Sequence, residues 1–317
     1  MLHVGIRLRY VWESKFFLAP IFGELSGYPS PFRPKNAPKL DFLTLMGVKF
    51  FWIVSGFARQ FQFVAFILLF TGIYHVLGFL HRKLFERICS IMSSNPEYLK
   101  EDREIPIPEY DWRNGSPEEF FETFVKRPHP VVLRGFMEDS NLTSTLTFDQ
   151  ILERFGEEEV LLTKKEMDGY SGKLKEVDDP SVYLHNSEIL FNKYPEFKEY
   201  LETERLEPYL NQKCGYSQMF VGRHGTGAPL HNAAVYNMFY MVDGSKKWHF
   251  IDPYDSALVY PMWGFGTAAS FSCCLYPDEF DEKAFPAFKY CPFYSATINQ
   301  GDVLFNPPWW FCSLFFS

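Results

Sequence analysis

In the run GAPLHNAAVYNMFYMVDGSKKWHFIDP, residues 227–253, His231 precedes one strand-like stretch and Lys246 opens the next, fifteen positions on. A neutral imidazole at a strand mouth is a natural metal ligand. An ammonium reaching into the same β-walled space needs an anion, because a buried unpaired charge costs several kcal/mol. Side chains on a strand alternate faces, so Trp248 and Phe250 share the face of Lys246, while Lys247 and His249 take the other. In the preceding strand Asn237, Phe239 and Met241 share a face. Lysine, asparagine and several aromatics together make an odd plain core and a reasonable anion site. The plainer alternatives are a loop-end histidine at 231 and a solvated hairpin lysine at 246, beside Gly244 and Ser245.

These residues need strands to carry them, and the pattern after Tyr216 supplies them. Short β-rich runs at 217–221, 236–242, 247–251, 295–298 and 302–305 alternate with Gly and Pro. Before them the chain reads as helices. Ser116-Pro117-Glu118-Glu119 has an N-cap, a proline at the first helical position and Glu at the third. Thr147 and Gln150 open a second helix that Gly156 closes, and 195–206 reads as a third. PVVLRGF, residues 130–136, reads as a short buried strand. Helices first and many short strands afterwards predict an α+β domain round a β-barrel or jelly roll.

The N-terminal third has a different character. Residues 63–80, FVAFILLFTGIYHVLGFL, carry no formal charge and are followed by His81, Arg82, Lys83 and Arg87. Eighteen apolar residues just reach across a bilayer core, so this run is expected to be a single transmembrane helix, with an endomembrane the suspected site. The apolar run 42–57, broken by Lys49, extends the membrane-associated segment, taken as 42–90. Residues 1–41 read as an irregular N-terminal segment, and 91–115 as a linker into the 116–317 domain.

The chain carries 31 Lys and Arg against 39 Asp and Glu, a net charge of −8, with no basic stripe. That argues against a nucleic-acid partner. Six cysteines form no C-x-x-C pair, so a structural zinc site is not expected. The Asn141-Leu142-Thr143 acceptor pattern matters only in a secretory lumen. Glu157-Glu158-Glu159 reads as a solvated run and Asp178-Asp179-Pro180 as a turn.

PVVLRGF, the 227–253 run and GDVLFNPPWWF together resemble the Jumonji-C and cupin-like family of Fe(II)/2-oxoglutarate oxygenases. The resemblance implies a double-stranded β-helix (cupin-like jelly roll) preceded by helices, covering the chain from Pro130 onward. It implies that His231 is the first iron ligand of an H-x-D/E motif. It implies that Lys246 pairs with the distal carboxylate of 2-oxoglutarate, with Asn237 lining that pocket and Trp248 beneath it. The chain departs from the family's pattern at two positions. Ala233 replaces the usual carboxylate, and Cys312 stands where the distal histidine would follow the tryptophans. The domain is also expected to be C-terminally incomplete. The resemblance therefore implies a membrane-anchored protein hydroxylase with an impaired metal site. The alternatives are a catalytically inactive binding module and a membrane scaffold.

Overall fold

The computed structural model describes residues 2–8, 83, 87, 90, 91 and 94, and 103–164, 169–233, 235–263, 269–272, 276–277 and 279–316. For some of these, 2–8 and 269–272 among them, it describes the backbone alone. The expected span 63–80 lies outside the described residues. Among those described, no helix is long and apolar enough to cross a membrane.

Fifteen strands among the described residues form two sheets. In chain order they are β1 Leu2–Leu8, β2 Glu104–Pro106, β3 Val131–Leu133, β4 Glu159–Lys164, β5 Gly169–Lys173, β6 Val182–Ser187, β7 Cys214–Gly222 and β8 Gly227–Ala233. There follow β9 Asn237–Asp243, β10 Ser245–Ile251, β11 Pro261–Trp263, β12 Ala269–Ser272, β13 Phe293–Asn299, β14 Val303–Asn306 and β15 Phe311–Phe316. One sheet has eight strands in the order β3-β14-β9-β1-β7-β6-β4-β5; the other has seven in the order β11-β12-β8-β15-β10-β13-β2. Apart from the parallel β13–β2 pair, the strand pairings are antiparallel. Such a two-sheet sandwich buries the alternating apolar residues of both inner faces between them.

Three apolar clusters follow from that layering. Between the sheets lie Tyr183, Phe220, Phe239, Met241, Trp248, Phe250, Tyr294 and Cys312. Phe239 meets Trp248 across the gap with ring centroids 4.6 Å apart. The opposite face of β9 turns Met238, Tyr240 and Val242 toward the helices, where Phe120 and Phe305 pack edge to face at 5.8 Å. A third cluster joins Leu230, Ile251 and Phe311 to the chain between β10 and β13.

The helix signals are borne out. Ser116 caps Pro117–Phe120 by accepting from the Glu119 amide, and Thr147 with Gln150 forms a reciprocal capping box on Phe148–Phe155. The expected helix over 195–206 is broken. Glu196–Tyr200 stops and Glu202 turns left-handed, at φ 44°, before a 3₁₀ turn Thr203–Arg205. Two other expectations need correction. Leu2–Leu8, inside the stretch read as irregular, is β1 and pairs antiparallel with both β7 and β9. Part of the 91–115 linker is β2, and Tyr110 beyond it donates its amide to the Val132 carbonyl at 2.9 Å. Backbone pairing with strands distant in sequence won over a local composition that predicted neither element.

The Gly301-Asp302 turn fastens the two sheets' hairpin to the domain's entry strand. Gly301 adopts φ 89°, a conformation that favours glycine. The Asp302 carboxylate accepts from the Gly135 and Asn299 amides, each at 2.9 Å, and from Arg134 Nη1 at 2.7 Å.

Candidate functional site

Register brings His231 and Lys246 onto one face of the seven-stranded sheet. On β15, Cys312 pairs with both His231 and Phe250, and Leu314 pairs with Trp248. Lys246 lies on the face of Trp248 and Phe250, in register with Ile298 of β13. A register shift on β8 places Ala228 opposite Leu314 and His231 opposite Cys312, three residues against two. Such a bulge restores an inward side chain after an odd number of residues. His231 is therefore inside β8, which corrects its expected place at a strand mouth. Ala233, two residues on, shares its face and pairs with Ala269. Asn232 turns away and donates to the Trp309 carbonyl at 3.4 Å.

Lys246 is fully buried. Its Nζ crosses to the other sheet and donates to the Tyr183 hydroxyl at 3.1 Å. Burial pushes the Lys246 ammonium well below its ordinary range, and burial first, then Tyr276, pushes the Tyr183 phenol well above its own. Both groups are thus pushed toward their neutral forms. Tyr183 on β6 was not singled out from the sequence. No local motif marks it, and only the β6–β7 pairing brings it over the lysine.

Four residues of β10 separate Lys246 from Phe250, which is about 13 Å at roughly 3.3 Å per strand residue. At that far level stand His231, Ala233, Cys312, Asn237 and Asn306. His231 Nδ1 donates to the Pro229 carbonyl at 2.8 Å, which leaves Nε2 as the ring's acceptor nitrogen. Asn237 of β9 pairs in register with Asn306 of β14, so the two carboxamides share the inner face. Asn306 Nδ2 donates to the Cys312 sulfur at 3.6 Å, again from one sheet to the other. The Oδ1 atoms of Asn237 and Asn306 are both buried without a hydrogen-bond partner. Asn306 ends the quoted run GDVLFN. Its parity with Leu304 could have placed it on the inner face, had the β9–β14 pairing been known.

The turn after Asn306 fixes Cys312. Trp309 is a non-glycine residue at φ 69°, and its amide donates to the Ala233 carbonyl at 2.8 Å. Trp310 then buries its ring against His129, at 4.9 Å between centroids, and donates from Nε1 to the Pro128 carbonyl.

An iron ion at this level would look for three strong donors on one face. His231 offers one imidazole, Ala233 a methyl group and Cys312 a thiol already engaged by Asn306. Among the described residues no group of three His, Cys, Asp or Glu could hold a metal ion. The residues present do not fit Fe(II). The Lys246–Tyr183 end, by contrast, fits a carboxylate.

Residues 164–313 match the model of the cupin-like domain family. An HSPB1-associated protein 1 homolog of Danio rerio is 30% identical over 99 residues, 30% of this chain and 21% of that protein. HSPB1-associated protein 1 of Homo sapiens is 30% identical over 96 residues, 30% of this chain and 20% of that protein. Arginine-specific demethylase JMJ20 of Arabidopsis thaliana is 26% identical over 135 residues, 41% of this chain and 26% of that protein. The matched stretches thus span about a quarter or less of the length of these curated relatives. Proteins of this class generally use Fe(II) and 2-oxoglutarate. The two-sheet architecture and the matched stretch agree: residues 164–313 of this chain match a cupin-like domain, and part of the chain is similar to a demethylase.

Proposed function

We propose that this domain is a binding module that takes a small carboxylate against Lys246 and Tyr183 and does not turn over an iron-bound cosubstrate. The observation that carries the reading is the contrast along one face of the seven-stranded sheet. Lys246 is buried with a phenol as its cross-sheet partner, whereas the register positions beside His231 hold Ala233 and Cys312. An incoming carboxylate would find an ammonium and a hydroxyl converging on it, and charge-assisted bonds of that kind are about twice as strong as neutral ones. Asn237 would line the same pocket.

A protein partner belongs to the reading, because two of the relatives above are named for association with HSPB1. Attachment to a membrane through 63–80 belongs to it as well, on the strength of that uncharged run and its basic flank. The name of the Arabidopsis relative favours a second reading, in which the chain is a protein-modifying oxygenase. The donor set weighs against that reading.

The test is metal retention by the full chain. After anaerobic loading with Fe(II) and desalting, iron should fall far below one per chain, and 2-oxoglutarate should yield no succinate above a protein-free control. Stoichiometric iron with succinate release would establish the oxygenase instead.

A further inference from the structure

β1 holds a central place in the fold although the rest of its sheet begins more than a hundred residues later. In the eight-stranded order it is an inner strand, with β9 on one side and β7 on the other. It pairs antiparallel with β7, from Leu2 opposite Val221 to Leu8 opposite Cys214. It pairs antiparallel with β9 as well, from Leu2 opposite Asp243 to Arg7 opposite Asn237. Without β1 the sheet divides into β3-β14-β9 and β7-β6-β4-β5, with a row of unpaired backbone groups on each new edge. Asn237 sits on β9 and Tyr183 on β6, so the two halves carry different parts of the candidate site. A sheet cannot pair across a bilayer. β1 therefore shares one compartment with residues 104–316, whether it comes from the same chain or from a second copy.

Between β1 and β2 the sequence carries two apolar runs, 42–57 and 63–80, separated by Ala58-Arg59-Gln60-Phe61-Gln62. One crossing in that interval would put β1 and its partner strands on opposite faces of the membrane, the one arrangement that the pairing forbids. We propose that the chain enters a membrane and returns to the same face, so that β1 and residues 104–316 both lie on its cytoplasmic side. This deepens the membrane attachment proposed above and rests on it. The two runs supply the descending and returning arms. The charges agree with that course. Arg33, Lys35 and Lys39 precede the first run and Arg82, Lys83 and Arg87 follow the second, with Arg59 alone between the runs. Lys and Arg beside a membrane segment favour the cytoplasmic face, and a return to one face puts both basic flanks there. Lys49 interrupts the first run, and a charge at mid-bilayer is unfavourable, so that arm runs shallow with its ammonium at the headgroups. The exposed Asn141, first residue of its helix, then never meets lumenal glycosylation.

The experiment is protease digestion of sealed microsomes holding the full chain, with one epitope before Met1 and another after Ser317. On extraction at alkaline pH the chain should stay with the membrane pellet. In intact vesicles both epitopes should be lost together while a lumenal marker survives, and Asn141 should carry no glycan. One epitope lost and the other protected overturns the inference and leaves membrane attachment standing. Protection of both until detergent is added overturns it too, because the shared face would then be the lumenal one. Release of the chain by alkali overturns the inference and membrane attachment together. Deletion of residues 2–8 checks β1 independently of any membrane, and residues 104–316 should then lose their resistance to limited proteolysis. A deletion variant as resistant as the full chain overturns the inference, because β1 would then be no part of the sheet.

Discussion

Two polar stitches cross the sandwich, and they differ in what they can do. At one end Lys246 of the seven-stranded sheet donates to Tyr183 of the eight-stranded sheet. At the other, Asn306 of the eight-stranded sheet donates to Cys312 of the seven-stranded sheet. The first contains a group that can become charged and that burial pushes toward its neutral form. The second is neutral on both sides, and the position two residues after His231 is an alanine. The fold carries both ends between the same two sheets, so the scaffold alone decides neither chemistry. What separates them is the side chains at 233, 246 and 312.

The largest expected effect comes from the charged stitch. Lys246→Met should weaken dicarboxylate binding by at least about 30-fold, since truncating one partner of a buried charge pair costs roughly 2 kcal/mol or more. The same change should leave ligand-free stability level or raised, because burying an amine costs solvation that a methionine does not lose. Calorimetric titration and chemical denaturation of one variant check both. A Lys246→Met protein that binds normally would dissolve the distinction between the ends.

The neutral stitch should respond in the opposite sense, by a gain. Ala233→Asp with Cys312→His places a carboxylate and a second imidazole in register with His231. That double variant should retain Fe(II) through desalting where the parent does not, and either single substitution should fall short of it. Metal analysis after gel filtration reads the result. Failure of the double variant to hold iron would mean that the backbone as well as the side chains has left the metal-binding arrangement.

A smaller effect belongs to Tyr183→Phe, which removes one donor to a charged ligand and should cost about tenfold in affinity. The mildest test is the pH profile. Lys246 is depressed in the folded, ligand-free chain, so above that depressed value a carboxylate that pairs with the ammonium recruits a proton on binding. Affinity should therefore fall as pH rises above the depressed value, by up to about tenfold per unit. Stability runs the other way. Between the depressed value and the ordinary lysine range the unfolded chain binds the extra proton, so the contribution of Lys246 to stability rises with pH. Lys246→Met should flatten both slopes.

How much of this was legible in the sequence follows from the range of the interactions. Ser116 and Thr147 announced their helices because a cap is settled within four residues. The strands β9, β10, β13 and β14 were visible as short β-rich runs set off by Gly and Pro. The inward parity of Lys246, Trp248 and Phe250 is borne out by their shared register with Ile298, Ala296 and Tyr294. Leu2–Leu8 was missed because its partners lie more than two hundred residues away in β7 and β9. Tyr183 and Asn306 were missed for the same reason, each becoming part of the pocket only through a cross-sheet contact. The bulge that turns His231 inward was hidden too, since a register shift leaves no mark on one strand read alone.

The most direct test of the account is the affinity of the full chain for 2-oxoglutarate, measured by calorimetry with chelator and again with Fe(II) under anaerobic conditions. Retention of the lysine end without a metal end predicts the same dissociation constant in both, lost in Lys246→Met. Binding that appears only when Fe(II) is present would contradict it.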